Sequence, residues 1–279
     1  MARSPTDDHR LELDDGRTVG YATWGDSEGT PVFFGHGTPG SRLDRYPSLD
    51  DPEWPRQRRL RFIGVDRPGY GYSDPWHEAG LLDCAGDFVR VADDLGLERF
   101  WALSGSGGGP YALALGALAP ERLRGLAIVS FAEIGMDEGE SPEELAMALG
   151  EEARALREDP EETFAAFFSA ELPEADRRML GRKDVRALLI ETFQEGVRQG
   201  ATGWVDDNLR QVRPWPFRLD EIRVGVRFHH GEADVLAPPD NAKELAGGIR
   251  GSRFHLYPGE GHIPMDRHIK VIVQTLLAT

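Results

Sequence analysis

The chain has 279 residues, of which 40% are apolar, and it carries a formal charge of −16 at neutral pH. That length holds one large domain, or a core with an inserted subdomain. The acidity argues against nucleic acid or an anionic membrane as partner, because both are bound by basic faces, and no run approaches the roughly 18 to 20 apolar residues of a membrane span. The opening MARSPTDDHR lacks the apolar region of a secretory signal. The single cysteine, Cys84, cannot form an internal disulfide. A cytoplasmic protein acting on a small molecule is the expectation, and self-association is left open.

In chain order, RLELDDGRTVGYATWG (10–25) reads as two strands paired around Asp15-Gly16. PVFFGHG (31–37) and LRFIGVD (60–66) are short apolar runs ending in glycine or aspartate, the pattern of buried parallel strands. LDCAGDFVRVADDLGL (82–97) has helical spacing and a glycine near its end. RFWALS (99–104) predicts another strand, Tyr111 to Leu118 a helix, and LRGLAIVS (123–130) a further strand. Strands alternating with helices predict a parallel α/β sheet.

After Glu133 the pattern changes. From Ser141 to about Arg213 only helical periodicity is found. IRVGVRFHHGEADVLAPP (222–239) then restores strand, turn and helix start. RFHLYPG (253–259) predicts the last strand and IPMDRHIKVIVQTLLA (263–278) the last helix. The expected organisation is a core over residues 1–132, a helical lid over 133–213, and the rest of the core over 214–279. Such an insert fits a lid over a site, or an accessory that only packs.

LSGSGGGPYALALG (103–116) lies between a predicted strand and a predicted helix, which argues against a flexible linker. It has no lysine for a phosphate loop and no G-x-G-x-x-G spacing. What remains is small-x-nucleophile-x-small, with Ser106 central and Ser104 and Gly108 two positions away. A serine at a sharp strand-to-helix turn is forced into strained φ/ψ, so its neighbours must be small. Ser106 is the nucleophile candidate. Ser104 is a rival hydroxyl, and the alternative for Ser106 is a helix N-cap.

A serine hydroxyl needs a base, and the base an orienting carboxylate. HHGEADVLAP places Asp234 just beyond a strand, and LYPGEGHIPM places His262 beyond the last one. Glu232 and Glu133 are the substitutes for the acid. All three candidates fall at the carboxyl ends of predicted parallel strands, where open α/β sheets build their sites.

The order Ser106, Asp234, His262 is similar to that of α/β-hydrolases. The chain resembles the lidded branch of that fold, which holds serine esterases and proline iminopeptidase-like enzymes. HGTPGS (36–41), DRPGYGYSD (66–74), GEADVLAPP (231–239) and GEGHIPM (259–265) carry the likeness, which covers nearly the whole length. It implies an α/β-hydrolase fold, an oxyanion hole made by the backbone N–H groups of Thr38 and Gly107, and no cofactor or metal. Ser104 departs from the commoner glycine, but is small enough for the turn. The resulting expectation is a serine hydrolase cleaving an ester or lactone of a small apolar molecule. Alternatives are a proline iminopeptidase-like aminopeptidase and a non-hydrolytic enzyme of the same fold, such as a lyase or perhydrolase. A second glycine is usual in the iminopeptidases where Thr38 stands.

His36 is expected to brace the oxyanion loop. His229 and His230 alternate on a strand, so one should point inward. Trp204, Trp215 and Phe217 either line a pocket or pack. Glu133, Asp137, Glu138, Glu143 and Glu144 are either solvated or aimed at a substrate amine. Helical spacing sets Glu140, Glu143, Glu144 and Glu151 opposite Leu145, Ala148 and Leu149, which favours the solvated reading.

Overall fold

The computed structural model describes residues 6–49, 51, 53–168 and 171–278, without the side chains of Pro47, Pro264 and Met265. Eight strands form one sheet: β1 (Asp7–Glu12), β2 (Thr18–Gly25), β3 (Thr30–Gly35), β4 (Leu60–Val65), β5 (Phe100–Gly105), β6 (Leu123–Val129), β7 (Val226–Gly231) and β8 (Arg253–Tyr257). Their spatial order is β1-β2-β4-β3-β5-β6-β7-β8. The expected hairpin is present, with β1 and β2 antiparallel. β2 also runs antiparallel to β4, and every other pairing is parallel.

The inner parallel strands are largely apolar on both sides because both faces are covered. In β3, Phe33 packs into one core with Phe88, Phe100 and Phe228. Its neighbours Val32 and Phe34 point the other way, into a second core with Trp24, Phe62 and Leu103. The first face is covered by α2 (Leu81–Asp94), α3 (Gly109–Leu118) and α9 (Pro239–Gly248), the second by α10 (Ile269–Leu277). Residues Gly109 to Gly116 of α3 are all buried, which is why that stretch shows no polar face. A short helix, α1 (Glu53–Gln57), precedes β4 and carries too few residues for a periodic signal.

Between β6 and β7 the described chain is helical: α4 (Pro142–Glu158), α5 (Pro160–Phe167), α6 (Glu174–Leu180), α7 (Lys183–Gly196) and α8 (Thr202–Gln211). Ser141 caps α4 by accepting from the Glu144 amide at 3.2 Å, and the Ser141 amide donates in turn to the Glu144 carboxylate at 2.9 Å. Leu145, Leu149, Ala153 and Leu156 form its buried stripe. Ala148, expected on that face, is exposed.

Boundaries shift slightly from expectation. β7 begins at Val226 and not at Ile222. The last helix begins at Ile269, after a 3-10 turn over Pro264–His268. The chain steps from β3 out to β4 and returns to β5 on the other side of β3. This switch leaves a crevice at the carboxyl ends of β3 and β5. Ser106 sits there.

Candidate active site

Ser106 follows the last residue of β5 and opens a single 3-10 turn, Ser106–Gly108, before α3. Its φ is +49°, the left-handed region that a non-glycine residue rarely occupies. The turn is too crowded for larger neighbours. A Cβ on Gly107 would stand 2.6 Å from Thr38 Oγ1, and one on Gly108 would strike the His36 carbonyl. The rival Ser104 is buried and donates to the Gly35 carbonyl at 3.1 Å.

Three loops from the ends of β5, β7 and β8 bring the expected residues together. His262 Nε2 lies 3.0 Å from Ser106 Oγ, and His262 Nδ1 lies 2.8 Å from Asp234 Oδ2. Asp234 Oδ1 accepts from the Leu236 and Ala237 amides at 3.0 and 2.9 Å. Burial alone would raise this carboxyl. Hydrogen bonds from His230, His262 and the Ala237 amide outweigh that and hold it well below the usual carboxylate range. An ionised Asp234 can only accept, so Nδ1 of His262 carries the proton and Nε2 is free to accept from Ser106.

His230 brings a second imidazole to that carboxylate. Its Nε2 lies 2.7 Å from the Ala237 carbonyl and 3.2 Å from Asp234 Oδ2, and both are acceptors. Both histidines of the β7 pair are buried, so the expectation that only one points inward is too simple. His229 binds the Tyr257 hydroxyl at 2.9 Å. Neither substitute acid meets His262: Glu232 accepts from the Gly259 amide, and Glu133 from the Asn241 amide group at 2.5 Å.

The loop 36–41 is held from beneath. His36 Nε2 accepts from the Arg67 amide at 3.1 Å, so its Nδ1 carries the proton and donates to the Gly37 carbonyl at 2.7 Å. Burial, reinforced by the Arg67 charge, keeps this imidazole neutral, far below its ordinary value. The Arg67 guanidinium donates to the carbonyls of His36 and Gly37 and to Thr38 Oγ1, at 2.5, 3.0 and 2.9 Å. It pairs in turn with Asp207 of α8 at 2.7 Å. From the end of α8, Gln211 Nε2 donates to the Gly107 carbonyl at 3.0 Å, while its Oε1 accepts from the Ile134 amide at 3.0 Å. Helical residues therefore grip both the serine turn and the loop facing it.

Ser106 and His262 stand in the wall of a cavity of about 310 Å³. Phe34, Ile134, Phe168, Leu189, Phe193 and Leu236 give it an apolar lining. Asp44, Tyr46, Glu133 and Asp266 add polar groups. Burial pushes the Asp44 carboxyl up, although its Oδ2 accepts from the Gly37 amide at 3.0 Å. The expected aromatic candidates are elsewhere. Trp215 stacks on Phe217 against the main core, and Trp204 packs on Phe167. Asp137, Glu138, Glu143 and Glu144 are exposed.

Residues 30–268 match the family model of the alpha/beta hydrolase fold. The chain belongs to the α/β-hydrolase family. A relative from Bacillus subtilis, the AB hydrolase superfamily protein YisY, is 28% identical over 249 residues, covering 84% of this chain and 85% of that protein. A probable proline iminopeptidase from Leptolyngbya boryana is 30% identical over 115 residues, covering 40% of this chain and 34% of that protein. Among solved structures, a hydrolase from Pseudomonas aeruginosa PA01 superposes with a TM-score of 0.72 at 19% identity. It covers 98% of this chain and 99% of that one.

Several residues that shape this α/β-hydrolase site carry no motif of their own. Asp207 lies 140 positions from Arg67, its partner, Phe193 lies on α7, and Phe168 directly follows α5 beside Phe164 and Phe167. Two others had a local signal: Arg67 lies inside DRPGYGYSD (66–74), and His230 stands four residues before Asp234 at a strand end.

Proposed function

We propose that the protein is a cofactor-independent serine hydrolase that cleaves an ester or lactone of a small apolar molecule through an acyl-enzyme. The observation that carries this reading is the unbroken relay of Ser106, His262 and Asp234 opening into an apolar cavity. Ser106 Oγ attacks the carbonyl carbon while His262 Nε2 takes its proton. Asp234 holds the imidazole in the useful tautomer and stabilises the imidazolium. The N–H groups of Thr38 and Gly107 receive the negative oxygen, each worth about 3 to 4 kcal/mol in comparable sites. The imidazolium protonates the departing alkoxide, and the acyl group stays on Ser106. Water activated by His262 then releases the acid. Residues 133–213 serve as the lid that completes the cavity and excludes water.

The cavity volume is at the small end for ligand sites, and its lining favours a short apolar acyl group over a long chain. A panel of p-nitrophenyl esters of increasing chain length, with lactones beside them, tests this. Turnover should peak at short chains. A peak at long chains, or no turnover of any ester or lactone, contradicts the reading.

One observation favours a second reading. Asp44, Glu133 and Asp266 line the cavity, and carboxylates there suit a substrate's free amine. An ammonium held in a partly buried site gains about 1.5 to 3 kcal/mol, or roughly 10- to 100-fold preference over the N-acetyl form. Against it, Glu143, Glu144, Glu151 and Glu158 of α4 are exposed, and Asp266 is already bonded to Ser48 and Arg182. A short-chain ester should therefore exceed an alanyl or prolyl anilide in kcat/KM. A strong preference for the free amine makes the protein a peptidase.

A further inference from the structure

The backbone of His262 is held from two sides. From the core, the Ser130 hydroxyl donates to the His262 carbonyl at 3.1 Å. From the helical segment, Asp176 of α6 receives two successive amides: His262 N–H reaches Oδ2 at 3.2 Å, and Ile263 N–H reaches Oδ1 at 2.8 Å. The carboxylate is completely buried at that contact. It fits so closely that a Cβ on Gly261 would land on it, so the loop needs glycine there.

A structural role for α6 does not call for this acid. Ala175 and Met179 are its other buried residues, while the neighbouring Glu174 is exposed and pairs with Arg178 at 2.5 Å. Burying a carboxylate costs several kcal/mol unless its lone pairs are satisfied. Burial does push the Asp176 carboxyl up, and the Ile263 and His262 amides oppose it. Asp176 does not line the cavity, so it touches no substrate.

We propose that Asp176 is a positioning residue for His262: by gripping the amides of His262 and Ile263 it sets the imidazole between Ser106 and Asp234. The helical segment is then part of the catalytic apparatus, not a detachable cover. The proposal rests on the hydrolase reading above. His262 bridges two partners at 3.0 and 2.8 Å, so a loop shift of about 1 Å breaks the relay without changing the cavity. Displacements of that size cost on the order of 100-fold in rate.

Three variants of the full chain test it. Asp176→Asn replaces one acceptor by an NH₂ that faces an amide N–H. Gly261→Ala displaces the carboxylate while leaving Asp176 in place. Glu174→Gln is the control on the same helix. Active sites are counted by fluorophosphonate titration, and kcat and KM for p-nitrophenyl butyrate are measured per titrated site, with thermal melts alongside. Asp176→Asn and Gly261→Ala should each lower kcat per site by roughly 10- to 100-fold. KM should stay within about 2-fold, and the labelling rate should fall in parallel. Glu174→Gln should match wild type. If kcat per titrated site is unchanged and only the melting temperature or the titratable fraction falls, Asp176 is structural and the proposal is overturned. A wild-type chain that is neither labelled nor active on esters removes the hydrolase reading itself, a result plainly different from that one.

Discussion

Arg67, from the loop after β4, and Asp207, from α8, form a buried ion pair at 2.7 Å in which neither side chain reaches solvent. Burial works against both charges, yet their attraction wins. Asp207 is held below the usual carboxylate range, with Arg210 adding to the pull, and Arg67 is driven further up. Tyr70 and Tyr111 complete the shell, donating to Asp207 at 3.0 and 2.5 Å. Through Arg67 the pair reaches the carbonyls of His36 and Gly37, so it ties α8 to the loop beside Ser106.

Removing one partner of such a pair leaves the other charge buried and uncompensated. Asp207→Asn should lower stability by about 3 to 5 kcal/mol, read as an earlier midpoint in urea with fluorescence and circular dichroism transitions coincident. A midpoint within experimental error of wild type contradicts the account of how α8 is attached.

His229 sets an acid limit on stability. Burial, with the neighbouring His255 and Arg227 charges, pushes it down to about 3 from an ordinary 6.5. Between those values the unfolded chain binds a proton there and the folded chain does not. Stability should therefore fall as pH drops below about 6.5 and level off near pH 3, by His229's contribution. His229→Phe should flatten the curve over that window relative to wild type. Melting temperatures of both proteins from pH 7 to pH 4 check it, and parallel curves contradict it.

The acid of the relay has its own test. Asp234→Asn presents an NH₂ to His262 Nδ1 and so favours the wrong tautomer, which lowers kcat by about 10⁴-fold in a comparable triad. Glu133→Gln should change kcat little, since Glu133 binds Asn241 and not His262. Kinetics of the two variants on one ester decide between them. A crippling Glu133→Gln with a mild Asp234→Asn reverses the assignment.

The relay was legible because each member sits in a short local pattern at the end of a strand, and strands declare themselves by apolar runs. The small residues around Ser106 state a steric need that the +49° turn realises. His36 was legible for the same reason, lying one residue beyond β3. Asp176 and Asp207 were not. Each is one acid among many on polar helices, and only helix docking separates them from solvated neighbours such as Glu174. Phe168 and Phe193 line the cavity while Trp204 does not, for the same cause. The packing of helices far apart in the chain decides it.

The most direct measurement of the central claim is covalent labelling. Wild type, Ser106→Ala and Ser104→Ala are treated with a fluorophosphonate, and the labelled peptide is located by mass spectrometry, with ester turnover followed in parallel. Wild type and Ser104→Ala should carry one adduct, on Ser106. Ser106→Ala should carry none and lose turnover while melting as a folded protein. An adduct that persists in Ser106→Ala and vanishes in Ser104→Ala, or turnover that survives the loss of Ser106, contradicts the claim.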